Sequence, residues 1–171
     1  AGAVDSPGAR DLLVTSAGII TFASDIGAGS ALRNLTVNGG GLTRIGGITR
    51  LTSSGLGQFF NQTELLSDLS LQGGSFAFKD VLDSGAAGPF SLTATGPGTV
   101  SFEKNVGVGR ALRSIDTTAV ALTEVGGNVA TTQGQSYSQT RLIGPAGDRS
   151  FSALSGDIFF AGAVAAASTD I

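Results

Sequence analysis

The stretch "FASDIGAGSALR" at residues 22–33 returns eighty residues later as "FEKNVGVGRALR" at residues 102–113. Laid without a gap, residues 21–47 and 101–127 share ten of twenty-seven positions, and the mismatches Ile26/Val106, Leu35/Ile115 and Ile45/Val125 keep their apolar character. After a small deletion the match resumes as "GQFFNQTELL" (57–66) over "GQSYSQTRLI" (134–143). Self-similarity at a fixed period decides the architecture before any local reading does. The chain of 171 residues reads as one domain made of two tandem copies, about 11–90 and 91–170.

Each copy contains a finer repeat: an apolar-x-apolar step, a glycine-rich turn, then a large residue six to eight positions on. The steps begin at Leu12, Leu35, Leu51, Leu69, Leu92, Ile115, Val129 and Phe151. The large residues that follow are Phe22, Ile45, Phe60, Phe78, Phe102, Val125, Tyr137 and Phe160. Apolar residues at i and i+2 with Ser and Thr between them fit a pleat with one buried face. "NGGG", "QGG", "TGPG" and "VGG" punctuate the strands, and glycine at that density weakens any helix. The pattern predicts an all-β, right-handed parallel β-solenoid of about eight coils, in which the large residues stack as one ladder along the axis. At ~4.8 Å per rung such a body is ~38 Å long. The alternative is two tandem β-sandwiches, one per copy. These would need hairpins, and the chain has a single Asn-Gly, at Asn38–Gly39, and no Asp-Gly. A cut stack exposes strand edges at its ends, so end-to-end association is expected, or else a capping role for residues 1–10 and 165–171.

The segments "GIITFASDIGAGSALRNLTVNGGGLTRIGG" (18–47) and "NVATTQGQSYSQTRLIGPAGD" (128–148) resemble the repeats of giant bacterial surface and secreted proteins. These are the filamentous-haemagglutinin-like and autotransporter-type adhesins of the β-strand-repeat kind. The resemblance runs from about Asp11 to Val164, with more Leu, Arg and Phe than the common Thr-rich form. It implies a right-handed solenoid, a secreted or bacterial cell-surface location, neighbouring repeats of the same parent chain as partners, and a role in a long fibre. The absence of Met fits a piece or a processed segment whose targeting information lies elsewhere.

Composition removes most chemistry. Cys, Met and His are absent, so disulfides, thiolate metal sites and the commonest general base are missing. Charged residues are 13% and the net charge is −3, which argues against a nucleic-acid partner. No apolar run reaches the ~18 residues of a membrane span. The acids show no recurring pair of the glycosidase kind, and the Gly-Gly-x-Gly-x-Asp pattern of calcium-binding rolls is missing. Gly27-x-Gly29 and Gly107-x-Gly109 lack the third glycine, the lysine and the helix of a phosphate loop. No catalytic residue, metal ligand or cofactor site is therefore assigned, and the chain is expected not to be an enzyme. The expected role is a rigid stalk or spacer. The alternative is an adhesive module that meets a host glycan or protein along one face, with Arg33, Arg113 and Tyr137 as the candidate contacts. Arg33 and Arg113 close the two "ALR" segments, which would put them on one side of the rod.

Overall fold

Apolar and polar residues alternate in runs too short to stand alone, so each strand must find its partner in the next coil. The computed structural model describes residues 3–46 and 50–167, and it contains no helix among them. Every strand pairing it contains is parallel, which excludes the sandwich alternative. The fold is a right-handed β-solenoid of about seven turns, one fewer than the spacing predicts.

Three faces alternate along the chain. The first carries β1 (Leu12–Thr15), β3 (Leu35–Asn38) and the C-terminal ends of four long strands, β5 (Arg50–Phe59), β7 (Leu69–Phe78), β9 (Leu92–Phe102) and β10 (Ile115–Val125). It ends with β13 (Thr140–Leu142) and β16 (Val164–Ala166). The second carries β2 (Ile20–Phe22), β4 (Thr43–Ile45), β6 (Thr63–Leu65) and β8 (Leu82–Ser84), then β11 (Val129–Thr131) and β14 (Phe151–Ala153). The third carries the N-terminal ends of the long strands, followed by β12 (Gln135–Tyr137) and β15 (Ile158–Phe160). Coil length varies from 17 residues (Thr123 to Thr140) to 25 (Ile26 to Leu51), because the corners and loops absorb the insertions.

The core is a set of stacked inward ladders. On the first face Phe59, Phe78 and Phe102 lie one above another, with ring centroids 5.1 and 5.7 Å apart and planes within 14° of parallel. Aromatic pairs of this kind contribute about 0.5–1.5 kcal/mol each beyond their area burial. Leu69, Leu92 and Ile115 stack on the third face, and Ile45 on Leu65 on the second. Towards the C-terminus the interior turns polar. Thr123 donates its hydroxyl to Thr117 at 2.8 Å, and Gln135 donates to Thr131 and to the Ser152 carbonyl. These buried groups satisfy one another, which is the condition for tolerating them.

The expected single ladder is therefore three. Phe22 and Ile45 belong to the second face, Phe78, Phe102 and Val125 to the first, and Tyr137 and Phe160 to the third. Phe60 leaves the core altogether: Phe59 points inward, and Phe60 is 41% exposed. Matching "GQFF" to "GQSY" letter by letter aligns Phe60 with Tyr137, and a one-residue slip in a strand sends a side chain to the other face.

Residues 1–2 and 168–171 lie outside the described residues, so the caps expected there are placed only in part. Val4 pairs in parallel with Ile26, and Ala165 and Ala166 pair with Arg141 and Leu142. Both are further rungs rather than lids across the end.

Candidate functional site

The doubled motif is a strand interrupted by a loop. Ile26 and Leu32 bridge Leu51 and Ser53 in the next coil, and Val106 and Leu112 likewise bridge Val129 and Thr131. Positions six apart in the loop thus face positions two apart in the neighbouring rung, and the surplus is thrown outward. Gly27 and Gly107 open each excursion at φ 68°. A Cβ there would sit 2.3 Å from the Thr52 carbonyl oxygen or 2.1 Å from that of Ala130, so only glycine fits.

A carboxylate from the coil below holds each loop. Asp5 Oδ1 accepts from the backbone N–H groups of Gly29 and Ser30 at 2.9 and 3.2 Å. Asp83 Oδ1 accepts from those of Gly109 and Arg110 at 3.2 and 3.3 Å. The serine after each aspartate closes its own corner: Ser6 Oγ accepts from Arg10 N–H, and Ser84 Oγ from Phe90 N–H. The clasp at Val4-Asp5-Ser6 thus recurs at Leu82-Asp83-Ser84, upstream of residues 11 and 91. The signal was available as "VDS" and "LDS", but three letters are too few to register without knowing what they grip.

The predicted contact residues do not converge. Arg33 sits at the corner between the third and first faces, its amide bonded to the Arg10 carbonyl and its carbonyl to the Gly55 amide. Arg113 sits between the second and third faces, between Phe90 below and Gln133 above. The expectation that they share one side of the rod is overturned, because the second copy is turned by one face relative to the first. Each guanidinium is also occupied. Arg33 grips Asp11 through Nε at 2.8 Å and Nη2 at 2.6 Å, and Arg113 bonds Asp68 and, at 2.9 Å, the Ser91 hydroxyl. Tyr137 is fully buried, stacked on Phe160 at 5.2 Å, and donates its hydroxyl to Gln135 at 2.9 Å. Burial pushes its phenol far above the usual range, and it is a core residue rather than a ligand contact.

The hydrogen bond from Arg33, helped by one from Asn34, holds the Asp11 carboxyl down to about 2. Its folded pKa lies below the unfolded one, so the stabilisation it gives is complete above the ordinary value near 3.8 and is lost as pH falls towards 2. Carboxyl chemical shifts followed by NMR should give Asp11 a midpoint near the low value, and Arg33→Gln should return it towards 3.8.

One concavity lies apart from these residues. At the corner between the first and second faces, Gly39, Gly40 and Gly41, Phe60, Asn61, Gln62 and Asp80 line a depression of about 380 Å³. They come from three successive coils. Gly39 and Gly41 are dictated by the chain beneath, where a Cβ would lie 1.8 Å from the carbonyl oxygens of Ser16 and Gly18. Asn61 is 4% exposed; its side-chain nitrogen and oxygen, both closed off from solvent, have no hydrogen-bond partner, while its backbone carbonyl accepts from the Thr63 hydroxyl. Sequence reasoning missed this corner because it placed Phe60 in the core.

Among the described residues no group of three or more acidic side chains gathers to hold a metal, and no helix is long and apolar enough to cross a membrane. No family model, curated protein or solved structure matches the chain.

Proposed function

We propose that the chain is a non-enzymatic structural module of a bacterial surface or secreted fibre, acting as a rigid spacer. The observation that carries this reading is the unbroken stack of parallel rungs, whose first face runs from Leu12 to Ala166 with backbone pairing along the axis. Such a stack gains stability from each neighbour and extends by adding coils. The final coil leaves Leu154, Ile158, Phe159 and Val164 exposed, and its strand edges are suited to a further coil, from the same parent chain or by end-to-end self-association.

Immunogold labelling of intact source cells with antibody to the folded chain tests the reading. Labelling outside the envelope is expected, and labelling confined to the cell interior overturns it. A second reading, an adhesive module for glycan, is favoured by the concavity beside the exposed Phe60. A glycan array separates the two: a folded chain that binds nothing is a spacer, and saturable binding to one glycan class is an adhesin.

A further inference from the structure

We propose that the last coil of one molecule docks against the first coil of a second molecule of this chain, so that the two join head to tail with their core columns continuous. This inference rests on the spacer reading and names the partner that lengthens the rod.

Among the described residues both ends of the stack are open: β1 and β2 begin their faces, and β14, β15 and β16 end theirs, each paired on one side only. Three inward columns run without a break from the first coil to the last. Val14 begins the column of Phe59, Phe78 and Phe102, and Ala166 ends it. Leu12 begins the neighbouring column, and Val164 ends it. On the second face Ile20 begins a column that Phe151 ends. The interior rings are sealed, whereas Leu12, Val14 and Phe151 are only half-buried and Val164 is 49% exposed. A solenoid that ends in water closes with a polar cap, but these six end positions are all apolar. They also fit pairwise: Val14 comes over the small Ala166, Leu12 over Val164, and Ile20 over Phe151.

The direction of the strands fixes the sense of the contact. Turning one molecule over reverses the way its coils circulate, so only opposite ends can meet with all three faces parallel. Such a heterologous contact does not close on itself, and it builds a filament that gains about seven turns, ~34 Å, per molecule. The clasp selects which coil fits on top. Val4, Leu82 and Val164 stand on the third, second and first faces in turn, each opening a short rung. The first two are followed by Asp5 and Asp83, which hold an outward loop in the coil above. Val164 is followed by Ala165, which has no carboxylate to offer. The rung that belongs above it is therefore one without an outward loop. β1 is such a rung, since Leu12–Thr15 pair with four consecutive residues of β3. A third copy of the repeat would bring a loop to this place, and the first coil of this chain does not.

The test is sedimentation velocity on the chain and on two variants, Val14→Lys and Ala166→Lys, which put a charge at opposite ends of one column. Both positions lie on outermost rungs, where a lysine can carry its ammonium group out to water and leave the fold intact. The weight-average mass of the unaltered chain should rise at least about twofold between ~1 and ~300 µM. Each variant alone should stay a monomer, because it keeps a single competent end. Mixed, the two should form a one-to-one dimer and stop there, the C-terminal end of Val14→Lys docking on the N-terminal end of Ala166→Lys. If circular dichroism shows either variant unfolded, Leu12→Lys and Val164→Lys repeat the experiment in the neighbouring column. A constant monomer mass for the unaltered chain overturns the proposal and assigns the ends to flanking residues that cap them. Self-association of either variant alone overturns it as well, since like ends would then be meeting, and so does a mixture that stays monomeric. Labelling outside the envelope with a strict monomer removes the joint and leaves a spacer continued by its parent chain. Association with labelling confined to the cell interior removes the spacer and keeps the joint.

Discussion

Phe102→Asp should leave the chain unfolded or melting at least about 10–20 °C lower by circular dichroism. Truncating a buried Phe costs about 3–5 kcal/mol, and placing a carboxylate in the vacated space adds an unpaired buried charge. Against a total of about 5–15 kcal/mol, either contribution is a large fraction. Phe102 ends the ring stack that begins at Phe59, and its strand pairs with β7 on one side and β10 on the other, so the loss reaches two coil junctions at once. Phe102→Leu, which keeps an apolar side chain of similar size, should cost less than about 1.5 kcal/mol. A melting temperature unchanged by the aspartate would remove Phe102 from the core.

Gly96→Val should cost at least about 3 kcal/mol, combining a φ that L side chains rarely adopt with a backbone collision. Gly96 has φ 142°, and a Cβ on it would lie 1.9 Å from the Gly73 carbonyl oxygen; Gly73, at φ 118°, stands in the same relation to Ser53. The two glycines let β7 and β9 turn from the third face to the first without leaving the sheet. Gly40→Ala is the control, because its Cβ meets open space, and it should be neutral or gain about 0.4–1 kcal/mol by restricting the unfolded chain. Equal melting temperatures for Gly96→Val and Gly40→Ala would mean that the corner column is not constrained by backbone approach.

The strands were readable because a buried face leaves a period-two trace, and Leu35-x-Val37 or Leu69-x-Leu71 could hardly be anything else. The absence of helix among the described residues followed from the same glycines that make the corners. What could not be read was which face each strand occupies. That depends on counting residues around corners, and the corners vary: Phe59 and Thr63 are four apart where Tyr137 and Thr140 are three, and the missing residue exchanges the roles of Phe59 and Phe60. The interior threonines were equally hidden. Thr117 and Thr123 look like solvent-facing strand residues until the hydroxyl bond between them is seen. Of the site, Arg33 and Arg113 were noticed because they recur, yet their recurrence reflects the duplication. Asp5 and Asp83 recur as well and do the gripping, but a carboxylate that clasps backbone leaves no pattern of residue types to match.

The second copy sits one face round from the first, since Phe22 belongs to the second face and Phe102 to the first, and Leu35 to the first and Ile115 to the third. An in-frame duplication at the level of the gene therefore did not need to be a whole number of coils. A prism whose three sides accept the same alternating pattern has three permitted joints per turn rather than one. If the event were repeated, the outward loops would climb the rod as a screw and return to the same azimuth after every third step. A growing array of this kind would show its loops to every direction, without any one copy having changed its sequence to do so.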